Sequence, residues 1–385
     1  MKKLVFLIII LFLSFYCGPK QDEVERIMED GVEVVINHLE PYKVKREPSI
    51  FHLDEKFVID LERDDLAEIG LTEIRDFAVD SNGNIYFSDS HSKENMIFKF
   101  DGKGNYIKSF CPKGQGPAEL SDAPMMMFTG DDELMAYSGM KLLLFDPDAS
   151  LVREIKTNVR YSSRATYLDN GNYLVGITKY PQEESGKTAH ITMLYDSQFN
   201  EIKELDRIEL FPMIAQRIKG ISHSIVAEVS IGKIFTGSQQ RGYEIYVYDF
   251  NGNLIKKIRK DYIKVSPSEE YKERFLSMFK GRSELYEAAK KKIYFPSSLP
   301  PFHYFLMNEK GRLYIMTYEK GVNPEEHMFD IFNPEGVFVG RKSLKGFSIP
   351  MILLLNIKIK NDHFYCIEEK ESGYKELVVY KMKWE

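Results

Sequence analysis

The chain has 385 residues, 43% of them hydrophobic and 13% aromatic, and a formal charge of −6 that becomes −8 once Lys2 and Lys3 leave with the leader described below. That length exceeds one ordinary compact core, and the composition excludes a disordered chain. The acidic balance repels phosphate backbones, which argues against nucleic acid as a partner.

The N terminus reads as an export signal. Lys2 and Lys3 precede a nearly uninterrupted apolar run from Leu4 through Phe15, and Cys17 follows, ahead of Gly18, Pro19 and Lys20. A run of about a dozen apolar residues is short for a bilayer span and has the length of a signal-peptide core. The arrangement resembles a bacterial lipoprotein signal, although Ser14, Phe15 and Tyr16 depart from the usual small residue before the cysteine. The resemblance implies a signal peptide over 1–16 and acylation of Cys17, which would anchor an exported protein to a membrane of the cell envelope. Residues 18 to about 30, rich in charged and amide side chains, read as a tether, and the whole of 17–55 as lipidated N terminus, tether and leading strand.

The body of the chain is repetitive. Upstream hairpins recur, clearest where Phe77 to Asp80 turns through Ser81, Asn82, Gly83 and Asn84 into Ile85 to Phe87. Echoes lie around Asp131 and Asp132, Asn170 and Gly171, Lys310 and Gly311, and Asn361 and Asp362, with a weaker copy from Ile225 to Phe235. A second signal is an aromatic residue, then Asp or Asn, two residues, and a turn former. It occurs at Phe100, Asp101 and Gly104; Phe145, Asp146 and Ala149; Tyr195, Asp196 and Phe199; Tyr248, Asp249 and Gly252; and Phe332, Asn333 and Gly336. The Asp or Asn side chain caps the turn's amides and glycine supplies positive φ, so each is a hairpin. Two hairpins per unit make a four-stranded meander.

Six such units over residues 74–385 predict an all-β fold: a six-bladed β-propeller of four-stranded antiparallel blades, within a domain of 56–385. The sixth unit lacks its outer strand, and Lys56 to Leu61 is the segment expected to pair with the C-terminal strand and close the ring. Cys111 and Cys366 fall in different parts of their repeats and read as separate buried thiols.

Between the fourth and fifth units, about 261–301, lies a helical insert. Ser266, Pro267 and Glu269 form a capping-box pattern, Tyr271, Phe275, Met278 and Phe279 share a helical face, and a second helix is expected from Ser283. The link Phe211 to Gly220 occupies the corresponding place one blade earlier.

The segment Asp80 to Tyr86 resembles an NHL-type propeller blade. Gly114, Gln115, Gly116, Pro117, Ala118 and Glu119 resemble the Gly-x-Gly-Pro-Gly-Glu connection of bacterial six-bladed β-propeller lipoproteins, with Ala118 in place of the last glycine. The stretches Gly31 to Asn37 and Phe295 to Phe302 also look like that family. The resemblance implies a fold and an envelope location, and no reaction. Physically, the Gly-Gln-Gly-Pro link reads as a tight structural passage rather than an anion-holding nest.

Aligning the units puts Arg75 with Asp76, Ser163 with Arg164, and His303 with Tyr304 at the starts of inner strands, where they would ring one end of the channel. Pro124 with Met125 and Leu354 with Leu355 fill the matching apolar places. His91, beside Asp89 and Ser90, and His223 in the fourth blade complete the candidate ligand-binding set. No nucleophile elbow, Walker loop or His-Glu-x-x-His occurs, so the leading expectation is a binding module with no cofactor, holding a peptide, a glycan, a small anion or an envelope protein at the channel mouth. The alternative is a calcium-type metal-dependent hydrolase, lactonase or lyase with Asp76 as the metal ligand.

Overall fold

The computed structural model describes residues 24–157, 165–180, 188–210, 218–221, 224–277, 287, 290–323, 326–345 and 357–385. Six four-stranded antiparallel meanders follow one another: blade 1 over 76–112, blade 2 over 125–156, blade 3 over 165–210, blade 4 over 225–260, blade 5 over 304–345, and blade 6 from residue 357 to the C terminus plus one strand from the N-terminal part of the chain. The fold is the six-bladed propeller that the repeats predict, with helix Glu269–Ser277 between blades 4 and 5.

Turn chemistry explains why the strands end where they do. In blade 1, Asp101 Oδ1 accepts the amides of Lys103 and Asn105 at 2.8 and 2.9 Å, while Asn105 Nδ2 donates to Asp101 Oδ2 at 2.9 Å. Asp196 and Asp249 make the same set with Asn200 and Asn253. Each of these hairpins carries a bulge one residue before the turn, at Phe100, Phe145, Tyr195, Tyr248 and Phe332, and bulges of this kind tighten the local twist. Ala149 and Phe199 adopt φ of 63° and 62° where the other turns place glycine, so the aspartate cap outweighs the left-handed penalty of about 1 kcal/mol.

Ring closure uses Phe51–Asp60. This strand pairs antiparallel with Lys375–Trp384, from Asp60 opposite Glu376 to Phe51 opposite Trp384. It is longer at its start than the Lys56 to Leu61 pattern. Fully buried Phe51 packs on Trp384 with ring centroids 4.8 Å apart.

Upstream of that strand, the chain is a clasp rather than a leash. Glu25–Glu29 and Val32–Asn37 form a hairpin, and Val32–Asn37 adds in parallel to the outer strand of blade 4, Leu254–Lys260. The tether expected to about residue 30 therefore ends by Val24, because Glu29 is held by Arg259 and Lys257 at 2.9 and 3.1 Å. From there the chain crosses the outer strand of blade 5. Tyr42 N donates to Phe338 O at 2.8 Å, Arg312 pairs with Glu47, and Gly340 lies so close under the Ser49 carbonyl that a β-carbon has no room. One arm thus ties blades 4, 5 and 6 together.

The blades pack through apolar faces. The largest cluster joins blades 4, 5 and 6 around Phe302, Phe305, Phe329 and Phe338, all fully buried. At the hairpin end of the ring, polar contacts link neighbours: Ser81 Oγ to Asp132 at 2.7 Å, Lys310 to Asp362 at 2.8 Å, and Asn361 Nδ2 to Ser81 O at 2.8 Å.

The insert differs from its predicted boundary. Ser268, not Ser266, caps the helix, its Oγ accepting Tyr271 N at 3.1 Å, while Ser266 Oγ donates to Ser297 O. The chain between Lys264 and Ser268 thus serves as a strap before helix begins. Tyr271 and Phe275 pack on Phe295, and Tyr271 meets Tyr318 of blade 5 edge-on at 6.3 Å. Lys290 to Lys292 are helical, and Met278, Phe279 and Ser283 lie outside the described residues. Ile293–Tyr294 pairs in parallel with Ile218–Lys219, which docks the preceding link beside the insert.

Candidate functional site

In a meander of this kind the links between blades and the middle loops of the blades share one end of the strands. That end carries the insert and the described candidates Arg75, Asp76, His91, His303 and Tyr304.

Asp76 opens the inner strand of blade 1 and is 1% exposed. Its Oδ1 accepts Phe77 N at 2.7 Å, its Oδ2 accepts Met126 N of blade 2 at 2.7 Å, and Lys358 of blade 6 stands 3.8 Å away. One carboxylate therefore joins three blades at the channel wall, and both of its oxygens are already engaged by amides. Arg75, next to it, is exposed, with its amide bonded to Ser88 O. The buried Asp89 collects Thr72 N, Glu73 N and His91 N at 2.6, 3.0 and 2.6 Å, acting as the anchor of its loop. His91 itself is exposed, 3.0 Å from Glu73, and with Thr72, Tyr374 and Lys375 it lines a shallow hollow of about 310 Å³ between blades 6 and 1.

Two blades round the mouth from blade 1, His303 and Tyr304 start the inner strand of blade 5. Tyr304 is buried and its hydroxyl donates to Glu228 of blade 4 at 2.7 Å. The His303 ring lies 5.2 Å from Tyr318, beneath the insert helix, and its Nδ1 is enclosed without a hydrogen-bond partner. Burial, reinforced by neighbouring His327, brings the His303 pKa down to about 4. His327 is lowered by burial as well, against a hydrogen bond to the Thr317 backbone, and its Nδ1 is also unpartnered.

Beside this pair is a cleft of about 440 Å³, lined by Glu209, Lys219, Gln239, Gln240, Tyr262 and the segment Ser298 to Pro301. Its floor is rigid. Gln239 accepts Ser224 N at 3.1 Å and donates to His303 O at 2.7 Å, which bridges two inner strands. Arg241 grips buried Asp206 through two bonds of 2.9 Å and lies 3.8 Å from the Tyr246 ring centroid. Sequence reasoning did not reach this cleft. The run Gln239, Gln240, Arg241, Gly242, a polar turn between two apolar strands, was its signal.

The Gly-Gln-Gly-Pro-Ala-Glu link supplies its own anion. Glu119 turns back so that Oε2 accepts Gly116 N at 2.7 Å, and Lys141 donates to the Gly116 and Glu119 carbonyls at 2.6 and 2.9 Å. The glycines are there because Glu119 fills the space a side chain would take. Cys111, just before this link, is buried with its thiol pushed up to about 12 by desolvation, so it is not a reactive thiolate, and Cys366 is buried separately as a second free thiol.

The described candidates are therefore dispersed rather than convergent. Asp76 and Arg75 sit at the wall of blade 1, His91 at its rim, and His303 and Tyr304 at blade 5; Arg164, His223 and Cys17 lie outside the described residues. Among the described residues no three His, Cys, Asp or Glu side chains form a metal-ligating cluster. Asp76 has both oxygens engaged by amides and belongs to no such cluster among the described residues, so it does not fit the oxygen-rich set that calcium requires.

The chain belongs to the DUF5128 family of six-bladed β-propellers, whose model matches residues 35–323. Among solved structures it is similar to a candidate exported protein of Bacteroides fragilis, at 14% identity and a TM-score of 0.52, over 91% of this chain and 99% of that one. A member of the DUF4221 family from Bacteroides vulgatus is similar at 11% identity and a TM-score of 0.50, over 88% of this chain and all of the other. No curated protein matches. At these identities the likeness is one of fold.

Proposed function

We propose that the chain is an exported, Cys17-acylated lipoprotein whose propeller is a binding platform, and that its ligand sits in the cleft between blades 3 and 4 and the insert. The observation that carries this reading is the cleft itself: about 440 Å³, of ordinary ligand-site size, with a fixed floor at Gln239 and polar groups of both charges at Glu209 and Lys219. Tyr262 gives a flat aromatic surface, and Gln240 and Ser298 present hydrogen-bonding groups around it. That mixture suits a glycan or a short peptide, which offer hydroxyls or amides together with apolar faces. The wall residue Asp76 has a structural task in this reading, holding Met126 and the mouth of blade 2 in place.

The test uses the soluble form beginning at residue 18 with Cys17 replaced. Oligosaccharide and peptide panels are screened by thermal shift, since selective binding to the native state raises the melting temperature. A hit that Tyr262→Ala and Gln240→Ala both weaken at least about tenfold, with unchanged melting of the unliganded protein, places the ligand in the cleft. A hit insensitive to both moves it elsewhere, and stabilisation by a divalent ion that Asp76→Asn abolishes replaces this reading with metal chemistry.

A further inference from the structure

The clasp fixes more than the ring. Glu25 lies opposite Ile36, and Ile36 opposite Arg259, so the first described strand begins level with the end of the blade 4 outer strand, where the insert link departs at Asp261. His38 joins the two, 2.9 Å from Asp261 and 3.8 Å from Glu25. Glu29 locks the hairpin to Arg259 and Lys257, and these bonds hold its carboxyl at about 2, so the attachment persists across physiological pH. The chain thus enters the propeller at one corner: the rim of blade 4, at the insert-bearing end.

Resting on the acylation of Cys17 proposed above, we infer that the propeller stands on the membrane by this blade 4 corner, with blade 1 farthest from the bilayer and the cleft opening beside the lipid surface. Six residues lie between Cys17 and Val24. The seven steps from Cys17 to Val24 reach about 25 Å at full extension, which no arrangement of the intervening chain exceeds. The outermost strand of that corner, Glu25–Glu29, carries Ile27 and Met28 at 37% and 66% exposure, apolar groups suited to the headgroup boundary. Tyr262, which follows Asp261 directly, lines the cleft, so a ligand entering there comes from the membrane side.

Single reporters test the orientation. Cys111 and Cys366 are buried, so in acylated protein a cysteine introduced by Ile263→Cys, at the 57% exposed position beside the corner, or by Lys93→Cys, at an exposed position on blade 1 across the ring, is the one that labels. In vesicles of phosphatidylethanolamine and phosphatidylglycerol with a headgroup acceptor, energy transfer from position 263 is expected to exceed that from 93 at least about twofold, as a reach of about 25 Å requires. Thirty Gly/Ser residues inserted after Lys20 should erase the difference. Equal or reversed transfer in vesicle-bound protein overturns the orientation and leaves acylation standing. Failure of the protein to float with vesicles, with no fatty acid on Cys17, overturns acylation and the orientation with it.

Discussion

Asn37 and Phe338 are 301 positions apart and share a hydrogen bond: Asn37 Oδ1 accepts Phe338 N at 2.8 Å, while Asn37 Nδ2 donates to Gly336 O at 3.0 Å. The Asn37 side chain is fully buried and acts as a surrogate strand partner for the outer edge of blade 5. Asn37→Ala strands two buried backbone groups, so a loss of about 2–4 kcal/mol is expected in urea unfolding. A loss below about 0.5 kcal/mol would mean that the clasp is not part of the cooperative fold.

Gly340 tests the next contact along the clasp. A β-carbon there meets the Ser49 carbonyl, which is backbone and yields only if the arm lifts. Gly340→Ala should leave the blades folded and speed proteolytic cleavage within residues 38–50. Unchanged cleavage with unchanged stability would refute the close approach.

At the channel wall, Asp76→Ala and Asp76→Asn should separate. The first leaves Met126 N and Phe77 N without their acceptor and removes the Asp76 carboxylate from beside Lys358, a loss of about 3 kcal/mol. Asn keeps one acceptor oxygen, and its loss should be roughly half as large. Equal losses by thermal melting would mean that charge, not hydrogen bonding, is what Asp76 provides.

Acid should loosen the seat of the insert. His303 and His327 are lowered by burial, so the unfolded chain takes up protons first; their contribution is complete above about pH 6.5 and is lost as pH falls toward 4. The surrounding charges, Glu270 and Arg274 on the helix and Lys320 on blade 5, keep their own pairing at 3.2–3.5 Å. Melting followed from pH 7 to 4 should fall less steeply in His303→Phe than in the wild type, by up to about 3 kcal/mol at pH 4. Parallel curves would show that the pair stays hydrated.

Ala118, at φ 59°, holds a left-handed backbone conformation that glycine adopts without strain. Ala118→Gly relieves a left-handed strain of about 1 kcal/mol and loosens the unfolded chain by about half that, so a small net gain in melting temperature is expected. Destabilisation would mean that the Ala118 methyl is itself packed.

The blades were legible because turn chemistry is local: Asp101, Asp196 and Asp249 bond amides two and four residues away, and such spacing is visible in a string of letters. Ring closure was legible because an incomplete sixth unit needs a partner. The clasp was not, since Val32–Asn37 could find Leu254–Lys260 only through packing, and a charged stretch such as Glu25–Glu29 reads as solvated until Arg259 and Lys257 stand opposite it. The candidates chosen from the sequence were titratable residues, and those that the structure describes lie at the insert-bearing end. Burial then separated them, giving Asp76 and Tyr304 to neighbouring blades, while the cleft came from Gln239, Tyr262 and prolines, whose roles depend on loops distant in sequence.

The outer strand of the last blade is Phe51–Asp60, and its partner is the final strand of the chain. The two strands pair Phe51 with Trp384 and Asp60 with Glu376, more than 300 positions apart. Blade 6 therefore keeps an open edge, and the ring has no lock, until these distant parts of the chain meet. Closure is a contact of high sequence separation, so it follows the local hairpins of the other blades rather than leading them.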